Sequence, residues 1–542
     1  MTSESFCVLP WLHLAVFPEG SAKLCCVANG RVENKGEPMS IEKEGLDGLW
    51  NSTYMKRVRK DMIEGRRVAD CESCVVAEQS FGESRRTTSN TRWRGLLGSR
   101  METLVADSRK NDFHVESMPV YYQLMPGNLC NLKCRMCFPT FSTLIERDAV
   151  HSRWNPPLFE IHSVPEHDSG SIQKTRKPPS LGGRLPSSPW YRDDEWVRDV
   201  LLQNSAELRG LYFTGGEPLI EPQVANIVDT LIERGVAGDV ELELNTNCTV
   251  VREEMIEKLL RFKKVTISLS LDAYGAFHEY IRYPARWSTL EKNVRRLAEL
   301  AGESLVLSAS PVLQVYNALN VVDVLRFLDE FSIDYRLTIA SMPWFLSVQV
   351  LPAGIRRIAA KRLREYGGRI GGGKQEHLDS LAGYLETLVQ RPNPESLRAF
   401  MLFTNDLDPG RRQSFRQVHT ELRDLLDASG FVWTDERLHS VSGSVPPTPQ
   451  PPADIVIGLE QLRAQRDRVS EQARAAGLDT IGRLDTGLRE SERATSLEVI
   501  EALDARVRRA ESELHDIRAS WSWRLTGPLR YIREKVSRPS RS

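Results

Sequence analysis

The chain has 542 residues, room for roughly two to four domains, and its 72 Lys and Arg nearly cancel 73 Asp and Glu to a net charge of -1. That balance excludes a global electrostatic pull toward nucleic acid or an anionic membrane. No run of about 18 apolar residues occurs, so no membrane-spanning helix is expected.

The N-terminal segment MTSESFCVLPW has neither a basic region nor an apolar core. No signal peptide is expected there, and the expected location is cytoplasmic. Eight of the nine cysteines lie before residue 140, and in an unexported chain they point to metal ligation or catalysis, not disulfides. Cys7, Gly20 and Cys25 form the spacing C-x12-G-x4-C, and Cys71 and Cys74 add a C-x2-C pair. Four thiolates suffice to enclose a [4Fe–4S] cluster or a zinc ion, and cysteine chemistry alone suits both. Cys26 adjoins Cys25; Cys25 is the candidate ligand because it satisfies the G-x4-C spacing. His13, beside this group, reads as a packing residue.

Residues 120–125 read as a buried strand. The run C-N-L-K-C-R-M-C follows, with Cys130, Cys134 and Cys137 at C-x3-C-x2-C spacing. Three thiolates on one short loop can hold three irons of a [4Fe–4S] cluster and leave the fourth open to a small molecule. A structural zinc site usually needs four ligands, and no local fourth is evident. Residues 152–190, rich in Pro, Ser, Gly and charge, read as a loop or lid. Residues 208–213 read as a second strand, which leads into Thr214-Gly215-Gly216-Glu217-Pro218. The glycines let backbone approach a ligand closely, and Glu217 offers a carboxylate to an ammonium.

A Cys triad followed by Gly-Gly-Glu-Pro after a strand resembles the signature of the radical S-adenosylmethionine (SAM) superfamily. The resemblance implies that Cys130, Cys134 and Cys137 ligate a [4Fe–4S] cluster and that Gly215, Gly216, Glu217 and Pro218 bind the amino group of SAM. Six strand-like segments, at 120–125, 208–213, 240–245, 265–271, 305–309 and 335–340, alternate with amphipathic stretches such as 227–234, 253–262 and 290–300. The alternation implies an α/β fold with a parallel sheet. Six units match the partial (β/α)6 TIM-like barrel of that superfamily, in which chemistry sits at the C-terminal strand ends. By the same resemblance, Asn245, Asn247, Ser268, Ser270 and Asp272 contact the ribose and carboxylate of SAM; ordinary strand-end capping is the alternative. Arg282 is a candidate for the SAM carboxylate or for a surface ion pair, and Asn317 for a similar contact. Cys248, outside both cysteine groups, is a candidate hydrogen-atom donor or a buried structural residue.

The N-terminal cysteines resemble the auxiliary-cluster modules called SPASM and twitch domains. The resemblance rests on Phe6-Cys7, Pro10-Trp11, Gly20, Cys25, Leu49-Trp50-Asn51-Ser52 and Cys71-Glu72-Ser73-Cys74. The two further cysteines of the full SPASM pattern are absent, so the twitch case, with one auxiliary [4Fe–4S] cluster, fits better. It covers roughly residues 5–430, with the module placed ahead of the SAM domain.

Residues 345–440 alternate helical patterns, at 355–366, 378–388 and 415–428, with polar turns. They read as a helical appendage, and Asn405-Asp406-Leu407-Asp408, Arg411 and Ser414-Phe415 continue the twitch-type resemblance. Val445-Pro446-Pro447-Thr448-Pro449-Gln450-Pro451-Pro452 is a stiff linker. Leu503, Val507, Ala510, Leu514 and Ile517 follow heptad spacing, which points to a coiled coil and hence to self-association or a helical partner. Trp521 to Arg530 resembles an SWR-x-T-x-P-L-R motif of bacterial glycosyltransferases and other proteins of surface-polysaccharide assembly. Its two tryptophans beside basic residues suit peripheral membrane contact or a polysaccharide-assembly partner.

The expected organisation is therefore an auxiliary module at 1–100, a radical SAM domain at 115–345 with the insertion 152–190, a helical appendage at 346–440, a linker at 441–454, a coiled coil at 455–520 and a basic aromatic tail at 521–542. The expected function is hydrogen abstraction from a carbohydrate or nucleotide sugar in surface-polysaccharide biosynthesis, ending in oxidation or epimerisation. An electron donor such as flavodoxin or ferredoxin is implied. The alternatives are a maturase of peptide or protein substrates and a catalytically silent metal-bound scaffold.

Overall fold

The computed structural model describes residues 5–81, 83–154, 189–340, 342–387 and 394–439. Most of the predicted insertion, and all of the predicted linker, coiled coil and tail, lie outside the described residues. Residues 1–392 and 404–435 form one compact unit. A second unit includes the described residues 394–403 and 436–439, and within it Arg398 and Glu436 form an ion pair.

The first unit is built on one mostly parallel sheet of eight strands: β1 His13–Val16, β2 Ala22–Lys23, β3 Tyr121–Leu124, β4 Gly210–Phe213, β5 Glu241–Thr246, β6 Lys264–Leu269, β7 Leu305–Ala309 and β8 Asp334–Tyr335. Their spatial order is β8-β7-β6-β5-β4-β3-β1-β2. Strands β3 to β8 run parallel in chain order, β1 pairs parallel with β3, and β2 is antiparallel at the edge. Strand alternation sorts the side chains by face. Leu124, Phe213, Leu244 and Ile267 are fully buried on one face. Helices that follow the strands bury Ile227, Leu231, Leu290, Val294, Val324 and Leu328 in the same core. The other face is polar, with Gln123, Tyr212, Glu243 and Thr266 in register across four strands, and Asn245, Ser268 and Ser308 in register two residues further on.

The N-terminal part joins this sheet through β1. Its helix Arg85–Leu97 also lies on the polar face at the N-terminal strand ends. Arg85 donates to the Tyr121 hydroxyl at 3.1 Å, and Arg92 pairs with Glu241 and Glu243. Trp93 packs on Tyr121 with ring centroids 5.4 Å apart. The helix starts at Ser84 with a capping box: the Ser84 hydroxyl accepts from Thr87 N while Thr87 Oγ1 accepts from Ser84 N. A strand at 13–16 was not expected, because its four residues are buried throughout and carry no alternation to read.

Five of the six expected strands sit within two residues of their expected bounds. The sixth, at 335–340, splits. Asp334–Tyr335 pairs with Ser308 and Ala309, whereas Thr338–Ile339 pairs with Val312–Leu313 in a separate two-stranded sheet. Pro311 interrupts the partner strand, since it has no N–H for the ladder, and the chain resumes pairing beyond it. The expected helices at 355–366 and 378–388 fall in Ala353–Ile370 and Gly372–Thr387. The expected helix at 415–428 breaks at His419 into Phe415–Val418 and Thr420–Ala428.

Candidate active site

Two loops at the C-terminal ends of β3 and β4 interlock. The backbone N–H of Glu217 donates to Leu129 O at 2.8 Å. A Cβ on Gly216 would lie 2.1 Å from Leu129 O, and Gly215 has φ +112°. Only glycine fits at both positions, because the Gly-Gly segment packs directly on the backbone preceding Cys130. The glycines serve loop-on-loop packing here, which is a different use from the ligand approach expected of them.

Glu217 is tied into the protein by its own carboxylate. It is 1% exposed, and its carboxylate accepts from Leu219 N at 3.1 Å, Thr246 Oγ1 at 2.7 Å and Asn247 N at 2.6 Å. Burial raises its pKa, and these three donors oppose that shift. A carboxylate so engaged fastens the β4 loop to the end of β5. Pro218 is buried at the start of the short turn Pro218–Ile220. Asn247 continues the brace, donating to Asn131 Oδ1 at 2.9 Å in the Cys loop and accepting from Thr249 N and Oγ1.

Asp272 and Arg282, predicted separately as SAM contacts, are partners of one another. Arg282 Nε donates to Asp272 Oδ2 at 2.7 Å, and Asp272 Oδ1 accepts from Val312 N at 3.0 Å. Asp272 is fully buried, so this is not the surface pair weighed for Arg282. Arg282 Nη1 also lies 3.9 Å from Cys134 Sγ, which places the arginine against the triad. Asn317 donates to Asp272 O and Val312 O and caps this group. Asn245 and Ser268 remain half-exposed on the polar face, with Asn245 Nδ2 donating to the Tyr212 hydroxyl at 2.8 Å. Ser270, also half-exposed, donates its N–H to Thr246 O.

Cys248 does not present its thiol to a cavity. It is 0% exposed, with φ +59°, and burial pushes its pKa up to about 12. Its carbonyl is held by Asn293. Its burial favours the structural reading of Cys248 over the hydrogen-donor one. His13 is likewise a packing residue, 4.5 Å from the Tyr121 ring, with Nδ1 3.2 Å from Tyr121 O.

Of the triad, Cys134 is buried, and Cys130 and Cys137 are partly exposed. Burial pushes Cys130 up to about 12 and raises Cys134 and Cys137, while Arg282 opposes the shift at all three. Arg411, near Cys134, is 3% exposed, and its Nε and Nη1 have no hydrogen-bond partner among the described residues. Soft donors flanked by cationic N–H groups suit a cluster with anionic sulfur. In the N-terminal part, Cys7, Cys25, Cys71 and Cys74 line one cavity together with Arg85 and Arg86. Burial pushes Cys7 and Cys71 up to about 12 and raises Cys25. Cys26 is exposed and is not among the residues that line the cavity. Among the described residues, no three His, Cys, Asp or Glu side chains converge on a single-ion position, and no helix is long and apolar enough to cross a membrane.

Sequence reading did not find Thr246, Asn131 or Arg135 in this site, and assigned no chemistry to Asp408 or Arg411. Asn131 and Arg135 stand inside the cysteine run, but nothing in their spacing announces their partners.

Residues 124–328 match the family model described as the radical SAM superfamily. No curated protein sequence matches the chain. Among solved structures, it is similar to Streptococcus suis SuiB bound to S-adenosylmethionine, with 13% identity and a TM-score of 0.32 over 62% of this chain and 66% of that one. It is also similar to native anSMEcpe with bound AdoMet and Cp18Cys peptide, with 16% identity and a TM-score of 0.30 over 46% of this chain and 60% of that one. The matched parts are thus less than two thirds of those proteins. The matched family model implies a [4Fe–4S] cluster and SAM, and the three thiols and the Arg411 guanidinium described above fit the cluster. With the Cys triad and the Gly-Gly-Glu-Pro loop inside the matched span, residues 124–328 carry a radical SAM domain.

Proposed function

We propose that the chain oxidises an alcohol carbon of a carbohydrate or nucleotide sugar. Cys130, Cys134 and Cys137 would hold the cluster, with the Leu129–Glu217 and Asn131–Asn247 contacts fixing the loop that carries them. When bound, the cluster and SAM supply a 5′-deoxyadenosyl radical able to abstract hydrogen from an unactivated carbon. Cys7, Cys25, Cys71 and Cys74 would hold a second cluster, an electron acceptor suited to a net oxidation. Their joint lining of one cavity supports that reading. The seclusion of Cys248 weighs against epimerisation, which needs a hydrogen donor at the reacting carbon.

The observation that carries the substrate class is the polar sheet face. Gln123, Tyr212, Asn245, Ser268 and Ser308 place amide and hydroxyl groups in two adjacent registers. Gln123 is 4% exposed, and its Oε1 has no partner among the described residues, so it is an acceptor suited to a substrate hydroxyl. The tail motif supports the same class by association.

The test is anaerobic formation of 5′-deoxyadenosine by the reconstituted, reduced protein, with a nucleotide-sugar and glycan pool compared with a peptide pool. The blank is Cys130→Ala/Cys134→Ala/Cys137→Ala. Stimulation by the sugar pool is expected. Stimulation by peptides alone overturns the substrate class, and absence of any triad-dependent product favours a silent scaffold.

A further inference from the structure

The segment from Thr404 to His419 reaches the Cys loop from more than 250 residues away. Its anchor is Arg135, inside the run C-N-L-K-C-R-M-C and 0% exposed. Arg135 Nε donates to Tyr280 O at 3.0 Å, and Nη2 donates to Asp408 Oδ1 at 2.5 Å and Gln413 Oε1 at 3.0 Å. Its guanidinium lies 3.8 Å from the Tyr280 ring centre. Asp408 Oδ1 also accepts from the Tyr280 hydroxyl, and Oδ2 from Phe415 N. The carboxylate is therefore fully occupied.

Three residues later, Arg411 has no such counterion among the described residues. Its Nη2 lies 2.9 Å from His151 Nδ1, and its guanidinium is 5.7 Å from the Tyr283 ring centre. Nε and Nη1 are unpaired among the described residues. Of the nearby charges, Arg135 repels it, and Asp148 already serves Lys133 at 2.7 Å and the N–H groups of Val150 and His151. The remaining neighbours that favour its charge are the Tyr316 hydroxyl, which is hydrogen-bonded to Thr404, and Cys134. A buried cation with two free donors and a satisfied acid nearby is destabilising, unless an anion occupies the space beside it. Arg282, the other arginine at Cys134, is neutralised by Asp272, so Arg411 is the excess positive charge at the triad.

We propose that Arg411 is a positioning residue for the triad cluster, donating its free N–H groups to the cluster's anionic sulfur and raising its reduction potential. The proposal rests on the triad holding a [4Fe–4S] cluster. It gives the helical appendage a function, as the element that closes the cluster site and adds positive charge. A nearby positive charge favours the more negative, reduced cluster, and hydrogen bonds to cluster sulfur act in the same direction.

The experiment uses the full-length reconstituted protein and the part of its reduced EPR signal lost in Cys130→Ala/Cys134→Ala/Cys137→Ala. Midpoint potential and the rate of iron release to a chelator are measured for wild type, Arg411→Met and Arg411→Lys. Arg411→Met is expected to shift the midpoint to lower potential and to speed release, with Arg411→Lys between it and wild type. A wild-type midpoint in Arg411→Met at full iron content overturns the proposal. If Arg411→Met takes up no triad iron, Arg411→Lys decides: restored loading supports the proposal, and the same loss overturns it. Absence of triad-dependent iron in wild type is a separate outcome, which overturns the cluster reading on which the proposal rests.

Discussion

At the scale of single residues, position outweighs residue type. Gly216 has no room for even a methyl group, because the atom it would strike is the Leu129 carbonyl. Gly216→Ala should therefore exceed the roughly 1–3 kcal/mol typical of overpacking, since backbone cannot swing aside as a side chain can. The expected result is loss of triad iron, read by iron analysis. Gly238→Ala is the control; it has open space around it and should keep both iron and stability. Cys248 gives the opposite case. Its thiol is sealed in the core, so Cys248→Ala should cost about 1 kcal/mol of stability and leave the yield and identity of the product unchanged. A change of product in that variant would restore Cys248 as a hydrogen donor.

At the scale of elements, the Cys loop is held from three sides. Gly215 to Glu217 packs beneath it, Asn247 ties it to the end of β5, and Asp408 and Gln413 grip Arg135. The third hold is the most sensitive to substitution, because Arg135 has no exposure to water. Asp408→Ala removes its counterion and should cost about 3–5 kcal/mol, the usual result of breaking one half of a buried ion pair. Denaturant unfolding would measure the loss, and iron content should fall with it. Arg135→Met/Asp408→Leu removes both charges and should recover much of that stability, because no buried charge is then left without a partner.

At the scale of the whole molecule, the core is sensitive to acid. His13, His278 and His419 are buried and neutral, with pKa values lowered to about 3, first by burial and then by Arg85, Arg282 and Arg135 respectively. Their pKa in the unfolded chain is about 6.5, so the unfolded state takes up protons first as pH falls. Stability is full above about pH 6.5 and declines toward pH 3. Each site costs roughly 2 kcal/mol at pH 5, at ~1.4 kcal/mol per unit. Chemical denaturation at pH 7 and pH 5 should show the drop. His419→Phe should reduce it, since His419 packs among Phe277, Tyr280, Tyr316 and Phe415.

The sequence by itself determined what is local along the chain. Ligand spacing, strand alternation and the positions of the glycines are set by neighbours a few residues apart, so the order of β3 to β7 and the two thiol groups were readable before any coordinates. Only the tertiary structure decided how each polar group is engaged. Glu217 meets Thr246 and Asn247, Asp272 meets Arg282 with Val312, and Arg135 meets Asp408 across a separation of 273 residues. A carboxylate at a strand end reads identically whether it awaits a ligand or is already spent on the protein's own donors. That difference arises only when distant segments are brought together and water is removed, which favours pairing of buried polar groups and, among the described residues, leaves a buried cation, Arg411, with two unpaired donors.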